Sequence, residues 1–265
     1  MRPVRVVSGA FTAAVVAASA LVLAAPANAA GINYVALGDS YSAGVGAGNY
    51  DSSSGSCSRS YNAYPELWAQ ANSPSSFSFE ACSGAKTGDV LSGQLSVLNS
   101  ATSLVSITIG GNDAGFSNTM ETCVLDGTSS CLSAVSTAES YAQNTLPGSL
   151  NTLFTAIHNK APHAQVVVLG YPHLYQVPGS CLFGISDTSR TAINGAADTL
   201  DGVLDKAAAN AGFSYADVRD QFSGHEICGD SDQWLNSTTW PIDESYHPNA
   251  SGQANGFYPV FSQYA

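Results

Sequence analysis

The sequence predicts an α/β fold, a three-layer α/β/α sandwich. Short apolar runs rich in β-branched residues recur along the chain. Longer segments with helix signals separate them, and glycine-containing turns follow the runs directly. Continuous apolar runs indicate strands covered on both faces, as in a parallel sheet. Helices between parallel strands supply the outer layers. Right-handed crossovers then bring functional loops to the carboxyl ends of the strands.

Strands are expected at residues 32–37 (INYVAL), 104–110 (LVSITIG) and 164–170 (AQVVVLG), with a weaker one at 213–218 (FSYADV). The first helix candidate, 64–72, has Pro65 early, where a first helical turn tolerates it. A longer candidate spans 133–159 and is interrupted at Pro147. A third runs from Asp187, a candidate cap, to Ala211, where Gly212 can stop it. There is no fixed-period repeat and no long linker.

Ahead of the first strand, residues 1–29 read as a secretory signal peptide. Arg2 and Arg5 start it, an apolar stretch from Ala10 to Ala25 follows, and Ala27-Asn28-Ala29 closes it. The run is short and Ala-rich, which argues against a transmembrane anchor and against stable membrane insertion. Cleavage after Ala29 would leave a single domain, 30–265, secreted outside the cell. Six cysteines fit that destination: Cys57, Cys82, Cys123, Cys131, Cys181 and Cys228. They allow 15 pairings, of which the simplest is sequential: Cys57–Cys82, Cys123–Cys131 and Cys181–Cys228. Each bridge would contribute about 2–4 kcal/mol. No C-x-x-C pair occurs, so a zinc ribbon or thioredoxin site is not expected.

Charge narrows the partners. Eight basic and 20 acidic residues give −12, and losing Arg2 and Arg5 lowers this by two, to −14. Such a surface repels nucleic acid and anionic membranes. It leaves open the binding of a lipid through apolar contact.

Chemistry is sought at the strand ends. Gly38-Asp39-Ser40 follows the first run, Gly110-Gly111-Asn112-Asp113 the second, and Gly170-Tyr171-Pro172 the third. Cys82-Ser83-Gly84-Ala85 lies between the first two, and Asp243-Glu244-Ser245-Tyr246-His247-Pro248 stands near the C-terminus. Each block alone is ordinary turn chemistry. Together they supply what serine hydrolysis needs: a nucleophile, a base, and donors for an oxyanion. Other motifs are missing. There is no G-x-S-x-G elbow, and His225-Glu226 lacks the second histidine of a zincin. His158 and His163 read as surface residues. His173 follows a strand end, from which it can line a cleft.

The four blocks GDSYSAG (38–44), CSGAKTGD (82–89), GGND (110–113) and ESYHPN (244–249) resemble, in order, those of the SGNH (GDSL-type) hydrolase superfamily. The resemblance covers the mature chain and is closest to the secreted lipases and phospholipases A1 of actinobacteria. It implies a flavodoxin-like sandwich with a central, mostly parallel sheet of about five strands. It also implies that Ser40 is the nucleophile and His247 the general base. The oxyanion donors would be the Ser40 N–H, the Gly84 N–H and the Asn112 side chain. Asp39 and Asp113 would hold loop geometry. No metal and no cofactor are implied, and a monomer is expected.

One position departs from the family's D-x-x-H block: Glu244 stands where the aspartate belongs, with Asp243 beside it. The ring needs an acceptor for its Nδ1–H. Three candidates stand nearby, the Glu244 carboxylate, the Asp243 carboxylate and the main-chain carbonyl of Ser245; the carbonyl is favoured, as in some similar secreted enzymes, with Glu244 next.

The expected reaction is hydrolysis of carboxylic acyl esters of lipids through an acyl-enzyme. Two apolar stretches, 171–185 and the set Trp234, Leu235, Trp240 and Ile242, are candidates for the wall of an acyl groove. A carbohydrate O-acetylesterase, or a short-chain esterase or thioesterase, is the alternative. A non-catalytic binding module is a third reading, disfavoured by the intact Ser40, Asn112 and His247.

Overall fold

The computed structural model describes residues 31–181 and 184–265, together with Met1 and Pro3. Apart from Met1 and Pro3, the signal segment expected at 1–29 lies outside the described residues, as do Leu182 and Phe183 of the apolar stretch 171–185.

The elements alternate as the runs imply. In chain order they are β1 (Asn33–Gly38), α1 (Ser40–Ala43), α2 (Tyr64–Asn72), β2 (Ser76–Phe79), α3 (Thr87–Asp89), β3 (Leu104–Thr108), α4 (Phe116–Leu125), α5 (Gly127–Asn144), α6 (Leu146–Lys160), β4 (Gln165–Leu169), α7 (Asp187–Ala211), β5 (Ser214–Ala216) and α8 (Arg219–Phe222). All strand pairs are parallel, in the order β2-β1-β3-β4-β5. Helices cover both faces of the sheet. Val35, Leu37, Val105, Ile107, Val167 and Val168 are buried, so β1, β3 and β4 run through the core. On one face Tyr34 meets Trp68 of α2 and Phe261 near the C-terminus, with ring centroids 5.2 and 5.6 Å away.

This order places the site. The chain leaves β1 toward β2 on one side and leaves β3 toward β4 on the other, so the direction switches between β1 and β3. A crevice opens at such a switch point, beyond the strands' carboxyl ends. Ser40 follows β1 and the Gly110–Asp113 loop follows β3. Their strands are in register at Gly38↔Thr108.

Several expectations are corrected in detail. The candidate at 133–159 is two helices, α5 and α6, and Pro147 sits in the first turn of α6 rather than interrupting one helix. Ser186, not Asp187, caps α7: its Oγ accepts from the Ser189 N–H at 3.2 Å. Asp187 is the first helical residue and pairs with Arg190 at 2.9 Å. β2 and α4 are additional to the strands and helices expected from the runs. The three sequential disulfides form as expected. No helix among the described residues is long and apolar enough to cross a membrane.

Candidate active site

Ser40 begins a short helix whose cap is Asp39. Gly38 precedes them with φ +123°, a conformation that side chains resist. A Cβ there would also collide with the Thr108 backbone and approach Ser42 Oγ at 2.9 Å. The bare backbone allows β1 to turn sharply into α1. Gln94 clamps the turn, accepting from Gly38 N–H at 2.8 Å and donating to Gly38 C=O at 2.9 Å.

Asp39 is buried and turned away from the imidazole. Its Oδ1 accepts from Tyr41 N–H at 3.0 Å and Thr108 Oγ1 at 2.7 Å, and the Tyr171 hydroxyl donates to Oδ2. Burial pushes its pKa up to about 6 against those three donors. The Tyr171 hydroxyl also accepts from Gly111 N–H at 3.3 Å, so one ring ties the β1 turn to the loop after β3.

Ser40 and His247 meet. His247 Nε2 lies 2.7 Å from Ser40 Oγ, and Nδ1 lies 3.0 Å from the Ser245 carbonyl. A carbonyl only accepts, so Nδ1 carries the proton and Nε2 is the acceptor for the serine. Burial pushes the imidazole pKa down to about 4, opposed chiefly by the Ser245 carbonyl and then by Asp243. The ring is therefore neutral at neutral pH. Tyr41 joins the two loops, its hydroxyl donating to the Tyr246 carbonyl at 2.7 Å.

The three candidates for the orienting group lie at different places. Glu244 Oε1 accepts from the Tyr50 hydroxyl at 2.8 Å, and Asp243 is exposed. The Ser245 carbonyl alone among the three candidates is bonded to Nδ1.

Asn112 shares the groove with Ser40, and the Gly84 loop is tied to the turn before Ser40 by Cys82 N–H, which donates to the Gly38 carbonyl at 3.0 Å. Asn112 lines one groove with Ser40 and Gly111. One of its amide protons goes to the Ala85 carbonyl at 3.1 Å, leaving the other available. Gly84, with φ +76°, turns its loop in a conformation suited to glycine. Among the described residues neither the Ser40 N–H nor the Gly84 N–H has an acceptor. Asp113 locks the loops together, taking Thr87 N–H at 3.0 Å and Thr87 Oγ1 at 2.6 Å. The Cys57–Cys82 bridge pins the Gly84 loop from the other side.

The groove corrects the expected wall. It runs from Ser40 between α4, α5 and α7, along Phe116, Met120, Val135, Ile193 and Leu200. Of the stretch 171–185, Tyr171, Pro172 and Leu174 contribute. Trp234, Leu235, Trp240 and Ile242 do not: Leu235 is buried, Trp234 stacks on His225 at 3.7 Å, and the other two face solvent. His173 stays outside the groove, bonded to Asp198 at 2.8 Å. His158 and His163 are exposed, as expected. The spacing of Ile193, Ala196, Ala197 and Leu200 marks one helix face, but such a face reads equally well as core. No cluster among the described residues suits a metal ion.

Comparison with known proteins identifies relatives over most of the chain. The chain is 56% identical to Lipase 1 of Streptomyces coelicolor over 267 residues, 99% of each chain. The crystal structure of an extracellular lipase from Streptomyces rimosus matches with a TM-score of 0.87 at 56% identity, covering 88% of this chain and 100% of that one. Phospholipase A1 from Streptomyces albidoflavus matches with a TM-score of 0.86 at 55% identity, covering 89% and 100%. A family model described as GDSL-like Lipase/Acylhydrolase matches residues 36–254, from within β1 past His247. A match of that extent, with a serine and a histidine meeting where the family blocks end, makes this chain a member of the GDSL-like lipase/acylhydrolase family.

Proposed function

We propose that the protein is a secreted ester hydrolase that releases fatty acids from lipids, with phospholipase A1 and lipase activity. The observation that carries this is an apolar groove beginning at a serine bonded to a neutral histidine. A polar substrate would find few partners there. An acyl chain gains about 0.8 kcal/mol per buried CH₂. The names of the relatives support the same substrate class.

In this reading His247 Nε2 takes the Ser40 proton as Oγ attacks the ester carbonyl. The oxyanion forms against the Ser40 N–H, the Gly84 N–H and the free Asn112 amide proton. His247 returns the proton to the leaving alcohol, and water then cleaves the acyl-enzyme by the same path. No residue here requires a metal or cofactor. Residues 1–29 are lost on export, and 30–265 act as a monomer, each chain holding its own Ser–His pair and groove. The bonded cysteines and the extracellular relative support export.

The test is fatty-acid release by the mature protein from phosphatidylcholine, a triacylglycerol and an acetylated sugar, with Ser40→Ala alongside. Long-chain release lost in the variant is expected. Acetate release alone would make the protein a carbohydrate esterase instead.

Two further outcomes follow from the histidine. Glu244→Gln is expected to keep kcat within about threefold, because glutamine still accepts from Tyr50 and the Ser245 carbonyl is untouched. A loss approaching the ~10⁴-fold of a lost triad acid would return the orienting role to Glu244. The pH profile has a definite sign. Hydrolysis needs the neutral ring, so kcat/KM should fall as pH drops through about 4. Measured on a soluble ester, with folding followed by circular dichroism, a limb between about 6 and 7 would point to Asp39 or to an unperturbed imidazole.

A further inference from the structure

Trp240 is 86% exposed and Ile242 60% exposed, with Pro241 exposed between them. A single exposed apolar side chain needs no explanation. Two large ones at the tip of one loop form a patch.

The loop is held firmly below that tip. Asn236 N–H donates to the His247 carbonyl at 2.9 Å, and Tyr246 N–H to the Asn236 carbonyl at 3.0 Å. The hydroxyls of Thr238 and Tyr246 are 2.7 Å apart, and Thr239 N–H donates to Ser245 Oγ at 2.9 Å. Asn236 Nδ2 also donates to the Gly46 carbonyl at 3.0 Å. These bonds form a ladder that starts at His247 and ends just under Trp240. The ladder thus links the apolar tip to His247, whose Nε2 is bonded to Ser40, while most of both large side chains stays exposed.

We propose that the Trp240–Ile242 tip is an interfacial anchor that inserts into the surface of zwitterionic phospholipid and brings the Ser40 groove to its substrate. The inference rests on the lipid-ester reading above. Tryptophan suits the boundary, with an apolar body and an N–H that stays at headgroup depth. Ile242 adds aliphatic area below it. Charge selects the surface. Asp243 and Glu244 follow the tip directly, and acidic residues far outnumber basic ones in the whole chain. An anionic membrane would repel this face, whereas a zwitterionic one carries no opposing net charge.

The test uses the full mature protein. In the Ser40→Ala background, co-sedimentation with phosphatidylcholine vesicles is compared with and without W240S/I242S. Binding should fall at least about tenfold in the double variant. Adding phosphatidylglycerol to the vesicles should weaken the binding of the parent protein. With Ser40 intact, W240S/I242S should hydrolyse phosphatidylcholine vesicles about tenfold more slowly, yet a monomeric soluble ester at a rate within about twofold of the parent. That second rate also reports that the variant folds. Undiminished vesicle binding by the double variant, or equal losses on soluble and vesicle substrates, would overturn the anchor. Stronger binding to phosphatidylglycerol would overturn its stated lipid. If the parent hydrolyses vesicles and the double variant does so equally, the anchor fails and the lipid-ester reading stands. If the Ser40→Ala protein binds through the tip but active protein releases no fatty acid, the reading fails and the anchor stands.

Discussion

Ser40→Ala is expected to lower kcat by on the order of 10⁶-fold, His247→Ala by a similar factor, and the double variant by no more than either. The reason is the single 2.7 Å contact between Oγ and Nε2. A serine hydroxyl is a poor nucleophile until its proton has somewhere to go. An imidazole without the serine has no proton to take. Each group is idle without the other, so removing the second costs nothing further. Steady-state rates on a soluble ester, with Tm measured for all three variants, decide the matter. Independent, multiplying losses would mean that the two residues act in separate steps. Retention of more than about a hundredth of the rate by Ser40→Ala would move the nucleophile elsewhere.

Asn112→Ala is expected to cost about 10²–10³ in kcat with KM little changed. Asn112 lines the same groove as Ser40 and has one amide proton beyond the one given to Ala85. A donor held ready for developing charge acts on the transition state far more than on the neutral ester. The bond to the Ala85 carbonyl provides the orientation, since it fixes the amide plane before substrate arrives. Asn112→Asp should be at least as damaging, because a carboxylate offers lone pairs and charge where a proton is needed. A change below about threefold for Asn112→Ala would contradict the role. A loss seen mainly in KM and Tm would assign the residue to loop structure alone.

What the residues disclosed beforehand follows from where the chemistry lies. The sharp turn after β1 demands Gly38, and the loop at Gly84 demands a positive φ, so local backbone needs leave letters in the sequence. The core strands were legible because both faces are covered. β2 was not, since SFSF at the edge of the sheet is partly exposed and half polar. α4 was missed because its cap is Gly115 with no side-chain bond, and residues 116–125 mix polar and apolar types. The groove walls were misassigned for a different reason. Aromatic residues near His247 in sequence looked like a wall, but the groove is made by helices distant in the chain. Their apolar faces carry no mark that separates a binding surface from a packed core. The role of Tyr171 in bridging Asp39 and Gly111 depends on three separate strand ends and has no local pattern at all.

The acceptor beneath His247 has a consequence for inheritance. A carboxylate partner can be lost by a single codon change. The acceptor here is a main-chain oxygen, and every amino acid brings one. Substitution at 245 cannot delete it, and 243 and 244 are relieved of holding the ring. The side chains of this short stretch are left to other tasks, as with Ser245 Oγ, which accepts from Thr239 N–H, while the imidazole keeps its tautomer. What selection must protect instead is the path of the backbone from Asn236 to His247, and so the bonds that fasten it.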